Sequence, residues 1–142
     1  MTILDKIIAD KRKEVALKKA IIPVAQLEAS VFFDRQTKSL SNNLRNGSRG
    51  IIAEHKRRSP SKSVINNDFS VEEVIKGYEN AGAMGISVLT DMKYFGGALD
   101  DLVLARASTT IPLLRKEFII DEYQILEAKA YGADVILLIA SV

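Results

Sequence analysis

The chain has no cysteine, no tryptophan, one histidine and three prolines among 142 residues. Without cysteine there is neither a disulfide nor a thiolate nucleophile, and a single histidine excludes a histidine-based metal cluster. An excess of one charge is also missing. Twenty Lys and Arg stand against 18 Asp and Glu, a net +2, which is too balanced for a general polyanion binder. Apolar runs are short: the longest, around residues 135–140, falls far below a membrane span, and the N-terminus lacks an apolar signal core. What remains is an ordinary globular composition, 47% hydrophobic and 27% charged, long enough for one core. The expectation is a cytoplasmic protein without metal, with no nucleic-acid partner and no membrane partner.

Residues 2–20 predict an amphipathic helix that ends before Pro23. Leu4, Ile7, Ile8 and Val15 fall on or near one stripe, and Lys11, Arg12, Lys13, Lys18 and Lys19 read as its solvated remainder. Residues 24–49 suggest one or two short helices with a polar loop from Asn42 to Gly50. From Gly50 onward strands and helices alternate, with strands expected over 51–56, 85–90, 112–117 and 134–140. Short runs rich in Ile, Val and Leu predict a parallel α/β sheet covered on both faces. Ser70 with Glu73 and Asp121 with Gln124 read as capping boxes, the first with a staple between Phe69 and Val74. Gly82 and Gly132 mark the ends of the two helices so started. Each is followed by alanine and then a strand, a repeat that fits a βα architecture.

The stretch from Ile51 to Lys62 runs an apolar strand into charge and then into a small-residue loop. Side chains alternate along a strand, so Glu54 and Lys56 emerge on the face of Ile52. Ser59-Pro60-Ser61 offers a fixed bend and backbone N–H groups for an anion. Lys116 follows Pro112-Leu113-Leu114 at the tip of the third strand, on the same alternation as Leu114 and Phe118. Burial and a nearby Lys56 would favour its neutral form, and Glu54 its charged form. From the residues alone, Glu54 and Lys56 read equally as an ion pair closing the sheet end, and Lys116 as a surface lysine paired with Glu117 or Asp121. His55 faces the helices by alternation and reads as a hydrogen-bonded packing residue.

Taken together, I-I-A-E-x-K-R-x-S-P-S-K at 51–62, Ser87 to Asp91, Tyr94 to Leu102 and Pro112 to Gln124 resemble the indole-3-glycerol phosphate synthase family. The resemblance covers the whole chain, which corresponds to about the first half of a barrel that typically takes about 250 residues. It implies an N-terminal helical extension over 1–49, which helps to cover the substrate, and strands 1 to 4 of a (β/α)8 TIM barrel over 50–142. It also implies a cofactor-free carboxy-lyase of tryptophan biosynthesis. That reaction closes 1-(2-carboxyphenylamino)-1-deoxyribulose 5-phosphate to indole-3-glycerol phosphate with loss of carbon dioxide.

By the same resemblance Lys116, Glu54 and Lys56 are catalytic, and Ser59, Pro60, Ser61, Phe95, Phe118 and Leu137 contact substrate. Two positions depart from the family pattern. His55 replaces an apolar residue, and Ser63 replaces a glycine, which strains the loop if that site needs positive φ. The family's general base and phosphate site lie beyond the fourth strand. The 142 residues alone are therefore expected to be inactive and to self-associate through open barrel edges. A different phosphate-binding barrel, such as a phosphoribosylanthranilate isomerase, and a non-catalytic half-barrel remain as alternatives.

Overall fold

The computed structural model describes residues 1–142. Helix α1 (Ile3–Ile21) begins at Thr2, whose hydroxyl accepts from the Asp5 N–H while the Asp5 carboxylate accepts from the Thr2 N–H. This capping box satisfies two groups that would otherwise be orphaned at a helix start. Helices α2 (Val24–Glu28) and α3 (Leu40–Asn46) follow. The loop expected from Asn42 begins only at Gly47. Ser39 caps α3, and the Asn43 side chain donates to the Met84 carbonyl, which keeps both asparagines helical.

The remaining elements alternate. They are β1 (Ile52–His55), α4 (Val71–Asn80), β2 (Gly85–Leu89), α5 (Met92–Phe95), α6 (Leu99–Ser108), β3 (Leu113–Lys116), α7 (Glu122–Ala130) and β4 (Val135–Ile136). The strands form one parallel sheet in the order β1-β2-β3-β4. With its N-terminal helix, this is the α/β arrangement of the first half of a (β/α)8 barrel. The fourth strand is shorter than the expected 134–140. It pairs with β3 only through Leu114↔Val135 and Arg115↔Ile136, and no strand lies on its other side to hold later residues in a ladder.

One face of the sheet makes the core. Ile86, Val88 and Leu113 pack against Val71 and Ile75 of α4, Leu102 and Ala105 of α6, and Ala128 of α7. Both expected capping boxes form, at Ser70–Glu73 and Asp121–Gln124. Phe69, however, stands 63% exposed, so no staple buries it. The helix exits repeat as expected: Gly82 and Gly132 take φ of 90° and 106°, and the N–H groups of Ala83 and Ala133 reach back to the carbonyls of Tyr78 and Ala128. Glycine is needed at both because that backbone is costly for any residue with a Cβ.

The N-terminal segment wraps around this sheet. Val15 and Leu27 bury with Tyr123 and Ala130 of α7 in a second apolar cluster. Leu40 of α3 fills the space that a side chain at Gly85 would need, which closes the N-terminal end of β2. Between them, residues 35–38 are tied to Asp134 at the start of β4. Its fully buried carboxylate accepts from Arg35 at 2.7 Å, Arg106 at 2.6 Å, the Lys38 N–H at 2.9 Å and the Leu113 N–H at 2.9 Å. Burial alone raises the Asp134 pKa, but these donors outweigh it and hold the carboxyl below the ordinary aspartate range. No helix is long and apolar enough to cross a membrane. Asp134→Ala leaves the buried Arg106 without its counter-charge, and urea unfolding should show a loss of about 3 kcal/mol.

Candidate active site

Glu54 of β1 is in register with Ser87 of β2, and Leu89 of β2 with Lys116 of β3. Glu54 and Lys116 therefore project from the same face, one strand apart. Lys116 Nζ donates to Glu54 Oε2 at 2.8 Å, Lys56 Nζ lies 3.3 Å from Oε1, and Ser87 Oγ donates to Oε2 at 3.3 Å. Desolvation is the largest influence on Glu54 and raises its pKa, yet the two lysines together pull it below the usual glutamate range. The result is an anionic carboxylate held between two cations. Lys116 does not pair with either partner that a surface lysine would take. Glu117 points to the opposite face, and Asp121 pairs with Lys19 at 3.0 Å. The Lys116 side chain is 41% exposed and thus open to a ligand.

Beside the ammonium group lies a small cavity of about 40 Å³ lined by Leu89, Asp91, Phe95, Lys116, Phe118 and Leu137, among others. The rings of Phe95 and Phe118 sit 6.0 Å apart between centroids, tilted by 38°. An apolar wall thus stands next to the ion pair. The space itself holds only a water-sized group. Glycines shape the approach to it: Gly96 ends α5 with φ of 67°, and a Cβ on Gly97 would collide with the Leu89 carbonyl.

The loop after β1 is folded on itself. The N–H groups of Ser59 and Lys62 bond to each other's carbonyls at 2.9 and 3.2 Å, and Ser59 Oγ accepts from the Lys62 N–H at 3.2 Å. Those donors are spent within the turn and are not presented to an anion. None of Ser59, Pro60 and Ser61 lines the cavity. Ser63 takes ordinary backbone, since no residue other than glycine has positive φ. The strain expected there is absent.

Beneath the wall is a polar network that the sequence reading missed. Lys11, expected on the solvated face of α1, is 2% exposed. Its Nζ lies 2.7 Å from Asp91 Oδ1, 3.2 Å from Glu117 Oε1 and 2.6 Å from Glu14 Oε2. Burial acts to lower its pKa, but Glu117, Asp91 and Glu14 prevail and raise it well above the ordinary lysine value. The other Glu117 oxygen accepts from Thr90 Oγ1 at 3.0 Å, and Arg115 donates to the same hydroxyl at 3.0 Å and pairs with Glu127 at 2.9 Å. The signal for Lys11 was its spacing, four residues after Ile7 and four before Val15, which places it on the buried stripe. Nothing in residue type announced a partner for it.

The model of the family described as indole-3-glycerol phosphate synthase matches residues 4–142. Curated proteins of that name are similar along nearly all of the chain. The protein from Bacteroides thetaiotaomicron is 48% identical over 139 residues, covering 98% of this chain and 54% of its own length. Those from Neisseria gonorrhoeae and Dechloromonas aromatica are 45% and 44% identical over 143 residues, each covering 98% of this chain and 55% of its own length. The chain therefore spans about half the length of the curated relatives it matches.

His55, next to Glu54 on the helix-facing side, is buried as alternation requires, but its Nε2 has no hydrogen-bond partner. Burial and then the Arg57 charge lower its pKa below the ordinary 6.5, with Asp101 opposing them. The folded imidazole thus binds a proton less readily than the unfolded one. Protonation favours the unfolded chain as pH falls below 6.5. The urea midpoint should be flat above about pH 7.5 and should drop between about pH 6.5 and 5. His55→Leu should remove that drop.

Proposed function

The chain belongs to the indole-3-glycerol phosphate synthase family, and on that premise we propose that it supplies the ring-closing half of that enzyme's site. The substrate is the phosphorylated carboxyphenylamino-deoxyribulose. The observation that carries this reading is the Lys116–Glu54–Lys56 cluster, with Lys116 Nζ 2.8 Å from Glu54 Oε2 beside the Phe95–Phe118 wall.

The aromatic carbon that bears the carboxylate attacks the ribulose ketone, forming the new carbon–carbon bond. Lys116 donates its proton to the ketone oxygen as negative charge builds there. Lys56 holds the substrate's anionic carboxylate or phosphate. The attack leaves a cationic iminium at the ring nitrogen, and the anionic Glu54 stabilises it electrostatically. Carbon dioxide then leaves with its bonding electrons returned to the ring, and loss of the hydroxyl as water completes the indole. Phe95, Phe118 and Leu137 hold the apolar ring. Ser59, Pro60 and Ser61 approach the substrate by rearranging the turn that now closes on itself. No metal or organic cofactor enters any step.

We assign the general base and the phosphate clamp to the part of the family's length that this chain does not span. Phosphate sites of such barrels lie after strands seven and eight. The domain division follows: residues 1–49 form a covering extension and residues 50–142 carry barrel strands 1 to 4. The composition suits the cytoplasm. The free edges of β1 and β4, with Ile52 and Leu138 exposed, favour self-association, and sedimentation of the chain alone should show species larger than the monomer.

The deciding experiment measures formation of the indole ring of indole-3-glycerol phosphate by fluorescence, against a chain that contains no tryptophan. The 142 residues are assayed alone and after mixing with a separately made second half of a relative's barrel. Activity is expected only on mixing, and Lys116→Ala should then lower it by about a thousandfold. A folded mixture that forms no indole would reject the catalytic reading and favour a non-catalytic half-barrel.

A further inference from the structure

We propose that Lys11, on the N-terminal helix and outside the reacting groups, is a positioning residue that sets the aromatic wall of the ring-closing site. The proposal rests on the functional reading above and adds a residue to it. Its basis is the junction that one ammonium group makes. Lys11 Nζ bridges Asp91, two residues past β2, and Glu117, one residue past β3, at 2.7 and 3.2 Å. Each carboxylate has a second duty. Asp91 Oδ2 accepts from the N–H groups of Tyr94 and Phe95 at 2.7 and 3.3 Å, and so caps α5. Glu117 Oε1 accepts from the Phe118 N–H at 2.9 Å. The two carboxylates that Lys11 joins are therefore those that fix the backbone of Phe95 and of Phe118.

The electrostatics favour the bridge. The Asp91 and Glu117 side chains are 3% and 2% exposed, and two desolvated carboxylates brought together without a cation repel strongly. Arg115 stands 3.7 Å from the far oxygen of Glu117, so Lys11 is the one cation that pairs with both carboxylates and lets β2 and β3 end with them side by side. Remove it, and Asp91 loses its cation while Glu117 keeps only Arg115, so the carboxylates separate or take up water. In each case the two rings lose their 6.0 Å spacing. A second tie holds the same helix against the same turn: Asp10, one residue earlier, accepts from Lys93 Nζ at 2.6 Å and from the Tyr94 hydroxyl. Helix α1 thus acts as a clamp on the wall through groups that never touch the substrate.

The test uses Lys11→Met in the 142-residue chain, read in two ways. In the mixture with the second half-barrel, KM should rise by about tenfold while kcat changes by less than about threefold, because the wall binds the ring and Lys116 is intact. A merely structural loss would lower the active fraction, so kcat would fall with KM unchanged. The second reading needs no activity. Fluorine NMR of the chain alone, with its five phenylalanines fluorinated and assigned by replacing each with leucine, should show Phe95 and Phe118 displaced while Phe32, Phe33 and Phe69 hold.

If Lys11→Met does not fold by circular dichroism, Lys11→Gln, which still donates hydrogen bonds, is measured in its place. Unmoved Phe95 and Phe118 signals in a folded variant, or failure of both variants to fold, would overturn the positioning role. An inactive wild-type mixture would reject the catalytic reading only. The fluorine spectra would still decide the role of Lys11.

Discussion

A carboxylate taken out of water must find a cation, and three such carboxylate sites decide how this chain is held together. Glu54 sits between Lys116 and Lys56 at the open end of the sheet. Asp91 and Glu117 share Lys11 at the same end but on the covered side. Asp134 gathers Arg35 and Arg106 at the opposite end. Only the first is open to solvent on both partners. That difference separates a site able to exchange its partner for a ligand from two whose ion pairs are closed off from solvent.

The apolar core plays a simpler part. Strand residues that face the helices, such as Ile86, Val88 and Leu113, bury without polar atoms, and this fixes which side chains point the other way. Given parallel register, Glu54 and Lys116 have to meet across β2. The chemistry of the candidate site is thus a by-product of packing on the opposite face: a one-residue slip of β1 would bury Glu54 among the helices and present His55 in its place.

Much of this was legible in the amino-acid order. Short runs rich in Ile, Val and Leu, the Ser70 and Asp121 boxes and the glycines at 82 and 132 located the barrel units, because each rests on a local rule. The meeting of Lys116 with Glu54 was legible from alternation combined with strand order. Lys11 was not. A lysine on an apolar stripe is ordinarily solvated, and the two acids that keep it charged stand 80 and 106 residues away in sequence. The turn at Ser59 to Lys62 failed for a related reason: small hydroxyl residues satisfy each other as readily as they satisfy a ligand. The extent of β4 depended on how many neighbours the strand has, which a local pattern does not encode.

The contacts that tie the N-terminal segment to the barrel are distant in sequence. Arg35 waits for Asp134, Ser30 for Ala130, and Tyr123 receives the chain near Ile22. During synthesis, therefore, α1 leaves the ribosome well before it can be locked in place, since Asp91 and Glu117, which bury its Lys11, have not yet been translated. Such non-local closure is entropically slow. Until α7 emerges, α1 carries its apolar stripe unsheltered, and that interval is when a nascent chain of this design has most need of chaperone cover.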